Sequence, residues 1–401
     1  MRPTFLPSLI VLAALLLCGC DAPVDHYPPN ELYSLVVSTR EMVSTQVAAD
    51  DTTAVVEAWF GTPVQPRWPA DQMSGSAAKA LVRLDNLERA AGRVYADQDD
   101  LHFGLYNEHC VTCHGVSGGG NGPASLLQNP YPRDFRAGVF KWKSTARNAR
   151  PTRDDLIKIL QHGAAGSAMP TFRLIPEQDL EALVDYVIFL SVRGQFEREL
   201  ISGAVQELEY DEARPSDGLS LMSIVGGDEE SEALSFARET LDRITDGWAR
   251  ADDAVIQVPP ETVADAASIQ RGREWFHSPK ALCSGCHGQD GDHPLALQTN
   301  YDDWTTEFTS RIGITPSDRE AVRPFRSAGA LRPRIIVPRK LSDGVFRGGD
   351  DPQTVYRRLV TGIDGTPMPA VNVSDQPSAT GLTSDQIWDI VHYVRSLGES
   401  E

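Results

Sequence analysis

The chain has 401 residues, 41% of them hydrophobic and 23% charged, with 37 Lys and Arg against 56 Asp and Glu. At roughly 150 residues per domain this length allows two or three globular domains, and the composition excludes a wholly disordered, collagen-like or disulfide-scaffold chain. A formal charge of −19 leaves no overall basic field for nucleic acid, so no nucleic-acid partner is expected.

Residues 1–19 hold one charge, Arg2, ahead of an apolar run from Phe5 to Leu17. A bilayer span needs about 20 apolar residues, so this shorter run reads as an export signal. It ends in Leu17-Cys18-Gly19-Cys20 and resembles a bacterial lipoprotein signal, in which a small residue precedes the lipidated cysteine. The resemblance implies cleavage before Cys20, a stable lipid anchor on that residue, and a protein facing the periplasm. An ordinary cleaved signal with two incidental cysteines is the alternative. No other apolar run reaches 18 residues, so no transmembrane helix is expected. Residues 20–95 carry no assignable motif and read as a membrane-proximal segment. Leu32, Leu35, Val36, Thr39 and Val43 predict one helix there, and Trp59 and Trp68 are candidates to pack on the next domain.

Residues 96–195 form the first motif-bearing unit. A short helix over 101–108 leads into Cys110-Val-Thr-Cys113-His114. C-x-x-C-H reads as covalent haem c attachment. Two thiols about one helical turn apart reach the two vinyl groups of one porphyrin, and the adjacent histidine meets the iron. Downstream, Gly163-Ala-Ala-Gly166-Ser-Ala-Met169-Pro170 offers a thioether, a soft ligand that raises the potential of haem iron. The stripe Leu180, Leu183, Val187 and Leu190 predicts a closing helix.

Residues 196–265 hold five basic against 18 acidic residues. Leu234, Ala237, Leu241, Ile244 and Trp248 still make an apolar stripe, so 232–250 reads as an amphipathic helix inside an acidic linker. A tether between domains and a site for a basic partner are both open.

Residues 266–401 repeat the pattern. A helix over 268–276 precedes Cys283-Ser-Gly-Cys286-His287, and Gly362-Ile-Asp-Gly365-Thr-Pro-Met368-Pro369 matches the earlier methionine loop. Ile387, Ile390, Val394 and Leu397 form the closing stripe. Zinc ribbons separate their cysteine pairs by only about 15–20 residues and do not explain either histidine. A thioredoxin-like motif would need a βαβ context. The axial candidates are thus His114 with Met169 and His287 with Met368; His162 and His392 are the rival ligands.

With these parts in place, each half resembles a class I cytochrome c domain. The resemblance implies an all-α fold, two such domains joined by a partly helical acidic linker, and two covalently bound haem c groups. It also implies a glycine on each first helix, Gly104 and Gly272, where the last helix crosses opposite Tyr186 and Tyr393. A proline carbonyl should accept from each proximal imidazole, and Pro123 and Pro294 are the candidates. The second half departs from the pattern, with 81 positions from His287 to Met368 against 55 from His114 to Met169. An insertion, roughly 305–349, is expected to cover part of the second haem.

Two basic segments, 133–153 and 319–340, lie between the ligands of each half. They read as partners of haem propionates, as a docking patch for an acidic redox partner, or as solvated loops. Trp142 is a candidate propionate donor or a core residue. The function expected is single-electron transfer between respiratory redox partners, without enzymatic turnover. A dihaem peroxidase or a haem-based sensor would need an open coordination site. The cytochrome subunit of a dehydrogenase, oxidase or quinol-oxidising complex is the further alternative.

Overall fold

The computed structural model describes residues 24–295, 297 and 299–399; the expected signal and Cys20 lie outside them. The described residues are mostly helical, as the apolar periodicity predicts, and no helix among them is long and apolar enough to cross a membrane.

Helices α1 (Glu31–Glu41), α2 (Gln46–Phe60) and α3 (Leu84–Ala90) open the chain. A small hairpin follows, β1 (Tyr95–Ala96) antiparallel to β2 (His102–Phe103). Then come α4 (Leu105–His109), α5 (Val111–His114), α6 (Arg153–His162) and α7 (Glu177–Gln206). Thr152 and Asp155 close a capping box at the start of α6, which fixes where that helix begins.

The helix expected over 101–108 is shorter. Residues 102–103 pair as strand, and Gly104 at φ +75° caps α4. A Cβ on Gly104 would meet the Arg93 carbonyl oxygen at 2.2 Å, so the residue serves that turn rather than a helix crossing. The packing role falls to α3, whose Leu87 and Ala90 are fully buried and whose Arg89 pairs with Asp179 of α7 at 2.5 Å.

Helix α7 is 30 residues long and runs past position 195. Its buried side continues through Phe196, Leu200, Ile201 and Ala204. Helix α8 (Glu232–Ala249) lays the predicted stripe, from Leu234 to Trp248, into the same core. Gly203 permits the crossing, because a Cβ there would stand 2.0 Å from the Phe236 ring. The stretch read as a tether is therefore packed structure. Its acidic count dominates the composition, but an amphipathic helix needs a partner face and extended α7 supplies one. Residues 24–95 join this core as well. Trp59 stacks on Phe196 at 5.1 Å, and Phe60 lies against Phe189 and Phe196. Buried Asp51 of α2 is held by Arg214 at 2.6 Å and by the Tyr210 hydroxyl at 2.7 Å.

The second half contains α9 (Ala266–His277), α10 (Ser284–His287), α11 (Arg319–Ser327), α12 (Pro352–Thr361) and α13 (Ser384–Ser396). Asp351 caps α12 just ahead of Pro352, and a Thr383–Gln386 capping box opens α13. Gly272 takes the crossing position: a Cβ there would sit 1.9 Å from the Asp389 carbonyl oxygen. The insertion forms its own apolar cluster. Trp304, Phe308, Val322 and Phe325 pack with Leu32 and Val36 of α1, so this segment clasps the first half.

Candidate haem-binding sites

Each C-x-x-C-H segment closes one helical turn. The His114 N–H donates to the Cys110 carbonyl at 2.9 Å, and the His287 N–H donates to the Cys283 carbonyl at 2.9 Å. Gly115 and Gly288 end the turns at φ +72° and +79°, a conformation that favours glycine. The four cysteines of the two motifs are half-buried, and none of them forms a disulfide. The two pairs do not converge on one point. Among the described residues, only Asp290, half-buried Asp292 and His293 come close enough as a group of three to hold a bare ion. A zinc ribbon is thereby set aside.

Both imidazoles are oriented alike. His114 Nδ1 donates to the Arg133 carbonyl at 3.0 Å, and His287 Nδ1 donates to the Arg339 carbonyl at 3.1 Å. A carbonyl only accepts, so Nδ1 carries the proton and Nε2 keeps its lone pair. Burial pulls His114 down to about 4 and moves His287 the same way, which keeps both rings neutral. Phe135 stacks on His114 at 4.5 Å.

Pro123 and Pro294 do not supply these acceptors. Their loops fold back onto the helical turns instead: the Ala124 N–H donates to the Thr112 carbonyl, and the Leu295 N–H to the Cys286 carbonyl, each at 2.9 Å. The real acceptors carry a sequence signal that the motif reading overlooks. Pro132-Arg133, followed by Gly138-Val139-Phe140-Lys141, recurs as Pro338-Arg339, followed by Gly344-Val345-Phe346-Arg347. Gly138 and Gly344 adopt φ +63° and +64°, so the backbone repeats too. This repeat also relocates the insertion. Histidine and acceptor are 19 positions apart in the first half and 52 in the second, so the extra residues precede Arg339. Positions 339–349, placed in the insertion by the sequence reading, belong to the repeated loop.

The methionine loops are congruent. Ser167 Oγ donates to the Ala164 carbonyl and accepts from the Met169 N–H at 3.3 Å. Thr366 Oγ1 does the same with Ile363 and, at 3.2 Å, Met368. Gly163, Gly166, Gly362 and Gly365 all take φ near +67°. Met169 packs into the apolar cluster that holds Cys110, and Met368 into the one that holds Cys283. The rival histidines lie elsewhere. His162 is exposed at the end of α6. Buried His392 contacts Ser268 at 2.7 Å through Nδ1 and Glu261 at 3.3 Å through Nε2, which occupies both ring nitrogens.

The basic segments meet between the halves. Arg133 and Lys141 of the first half converge on Asp303 of the insertion, with Lys141 at 3.5 Å. Lys143 Nζ pairs with Asp364 at 3.0 Å, and both side chains are only 5% exposed. Arg147 donates to the Met368 carbonyl at 3.3 Å, and Arg347 donates back to the Gly166 carbonyl at 3.1 Å. Each methionine loop is thus held from the opposite half. Trp142 is half-buried and lies against Gly348.

A thiol pair one turn apart, a neutral imidazole with Nε2 free and a thioether in the same apolar cluster suit haem c. The profile of the cbb3-type cytochrome c oxidase subunit III family matches residues 101–187, which include Cys110, Cys113, His114 and Met169. No curated protein matches the chain. Among solved structures, a chain of the reducing HAO-like protein complex of Kuenenia stuttgartiensis is similar at TM-score 0.45 and 22% identity, over 73% of this chain and 94% of that one. Residues 101–187 thus carry a cytochrome c domain, whose haem c is covalently bound.

Proposed function

We propose that the chain is a lipid-anchored, periplasm-facing dihaem c-type cytochrome that passes single electrons between redox protein partners. Cys110, Cys113, His114 and Met169 would hold one haem; Cys283, Cys286, His287 and Met368 would hold the second. The observation that carries this reading is the repetition of the site. The Nδ1-to-carbonyl bond, the glycine after the histidine and the Ser or Thr brace on the methionine all recur in the second half. Bound haem would supply the one-electron couple. The protein's part is to keep each imidazole neutral and fixed, to brace each thioether, and to keep both sites apolar. Fixed ligation on both sides favours a carrier over a peroxidase, which needs an exchangeable position. Cys20 would carry the anchor, and the donor and acceptor are redox proteins.

Haem stoichiometry and carbon monoxide test the reading. Two haems per chain and no ligand-induced change in the reduced spectrum are expected. Ready binding of carbon monoxide at one haem would refute fixed ligation there and make peroxide turnover the next assay. Mass spectrometry of the membrane-extracted protein should show a lipid-modified Cys20 as its first residue.

A further inference from the structure

Between the halves lies a narrow cleft of about 20 Å³, open to solvent on one side. Its walls carry Lys141, Lys143 and Arg147 from the first half and Arg358 from the second, against one carboxylate, Asp364. Asp364 is already committed to Lys143 at 3.0 Å and to Arg147 at 3.7 Å. Lys141 shares Asp303 with Arg133. Arg358 donates to two carbonyls, those of Arg347 at 2.9 Å and Gly349 at 3.1 Å, and no carboxylate lies within ion-pair range of it among the described residues. Burial draws Lys141 down to about 8 and Arg358 to about 10.

The location of the cleft narrows what the missing anion is. Gly362, which opens the second methionine loop, lines it, and Arg147 touches the Met368 carbonyl at its edge. A haem fixed by cysteines through its vinyl edge presents two carboxylates at the opposite edge. We propose that this cleft receives a propionate carboxylate of the second haem, so that Lys141, Lys143 and Arg147 of the first half hold the cofactor of the other half. The inference rests on the dihaem reading. The reverse arrangement has the same character. Arg347 reaches Gly166 of the first methionine loop, and Arg339 Nε beside it is buried without an acceptor among the described residues.

The test uses the full-length holoprotein with R147Q and, because it does not touch the methionine loop, K141M. Haem content, the two midpoint potentials, the propionate bands in resonance Raman and the sulfur-to-iron charge-transfer band are measured together. Loss of a nearby positive charge stabilises the ferric state relative to the ferrous one. Both variants should therefore lower the same one of the two potentials and shift one propionate band, with the charge-transfer band unchanged. Two haems with unmoved potentials and propionate bands would overturn the inference alone. A change in the charge-transfer band that accounts for the shift would overturn it in favour of an effect through Met368. A wild-type potential that follows added phosphate at constant ionic strength, with static propionate bands, would mark a site for free oxyanions and overturn it too. One haem per chain would refute the dihaem reading and this inference with it.

Discussion

Asp303 gives the most direct measure of how the halves are joined. It belongs to the insertion of the second half, yet its partners Arg133 and Lys141 belong to the first. All three side chains are at most 17% exposed, so solvent screening is modest. Burial pushes the carboxyl up, but Arg133 and Lys141 outweigh it and hold Asp303 down at about 2, from 3.8. At about 1.4 kcal/mol per pKa unit, the carboxylate contributes about 2 kcal/mol to the folded state. The sign follows from the depressed value. The contribution is complete above the unfolded pKa, declines below about pH 4 and is gone as the pH falls through about 2. Asp303→Asn should therefore cost about 2 kcal/mol in urea unfolding at pH 7, followed by far-ultraviolet circular dichroism. The gap to the native protein should narrow steadily as the pH is lowered from about 4 towards about 2, values set by those two pKa limits. A D303N variant of native stability at pH 7, or a gap that does not narrow in acid, would refute the argument.

Other outcomes follow from particular contacts. Gly272→Ala drives a methyl into the Asp389 carbonyl, and about 1–3 kcal/mol should be lost as α9 and α13 separate, read in a thermal melt. His392→Phe removes the bonds to Ser268 and Glu261 at a cost of about 1–3 kcal/mol. The visible haem spectrum should nevertheless stay native; a changed axial ligand signature would reinstate His392 as an iron ligand. Phe196→Ala empties the position where Trp59 and Phe60 meet α7 and should cost about 3–5 kcal/mol in chemical denaturation. A loss under about 1 kcal/mol would mean that residues 24–95 do not share this core.

Most of the local chemistry is legible in the chain, because it rests on contiguous spacing. Cys110 to His114 and Gly163 to Met169 are short motifs whose geometry is set within one or two turns, and their copies lie at matching places. The stripes on α7, α8 and α13 are legible for the same reason. What spacing does not reveal is what a surface meets. The acidic count at 196–265 suggests a tether, whereas Phe196, Leu200 and Ala204 prolong a buried face that only the fold displays. The family proline points to the Pro123 carbonyl, whereas the acceptor is the carbonyl of Arg133, a group every residue offers. Its position is marked only by the repeated Pro-Arg pair, which carries no side-chain chemistry of its own at the iron.

That Pro-Arg pair links orientation of the iron ligands to the contact between the halves. Arg133 turns its carbonyl to His114 and its guanidinium to Asp303 of the second half. Arg339 turns its carbonyl to His287, and its guanidinium lies so close to Gly166 of the first half that a Cβ there would stand 2.9 Å from it. Arg133 thus fixes one imidazole and grips the opposite half, while Arg339 fixes the other imidazole and packs against the opposite half. Pulling the halves apart would free the Arg133 side chain from Asp303 and loosen the carbonyl on which the His114 imidazole depends. A tethered pair of independent carriers has no use for such a link, since each domain would need its own brace. The contact between Arg133 and Asp303 instead holds the two repeated motifs at a fixed separation.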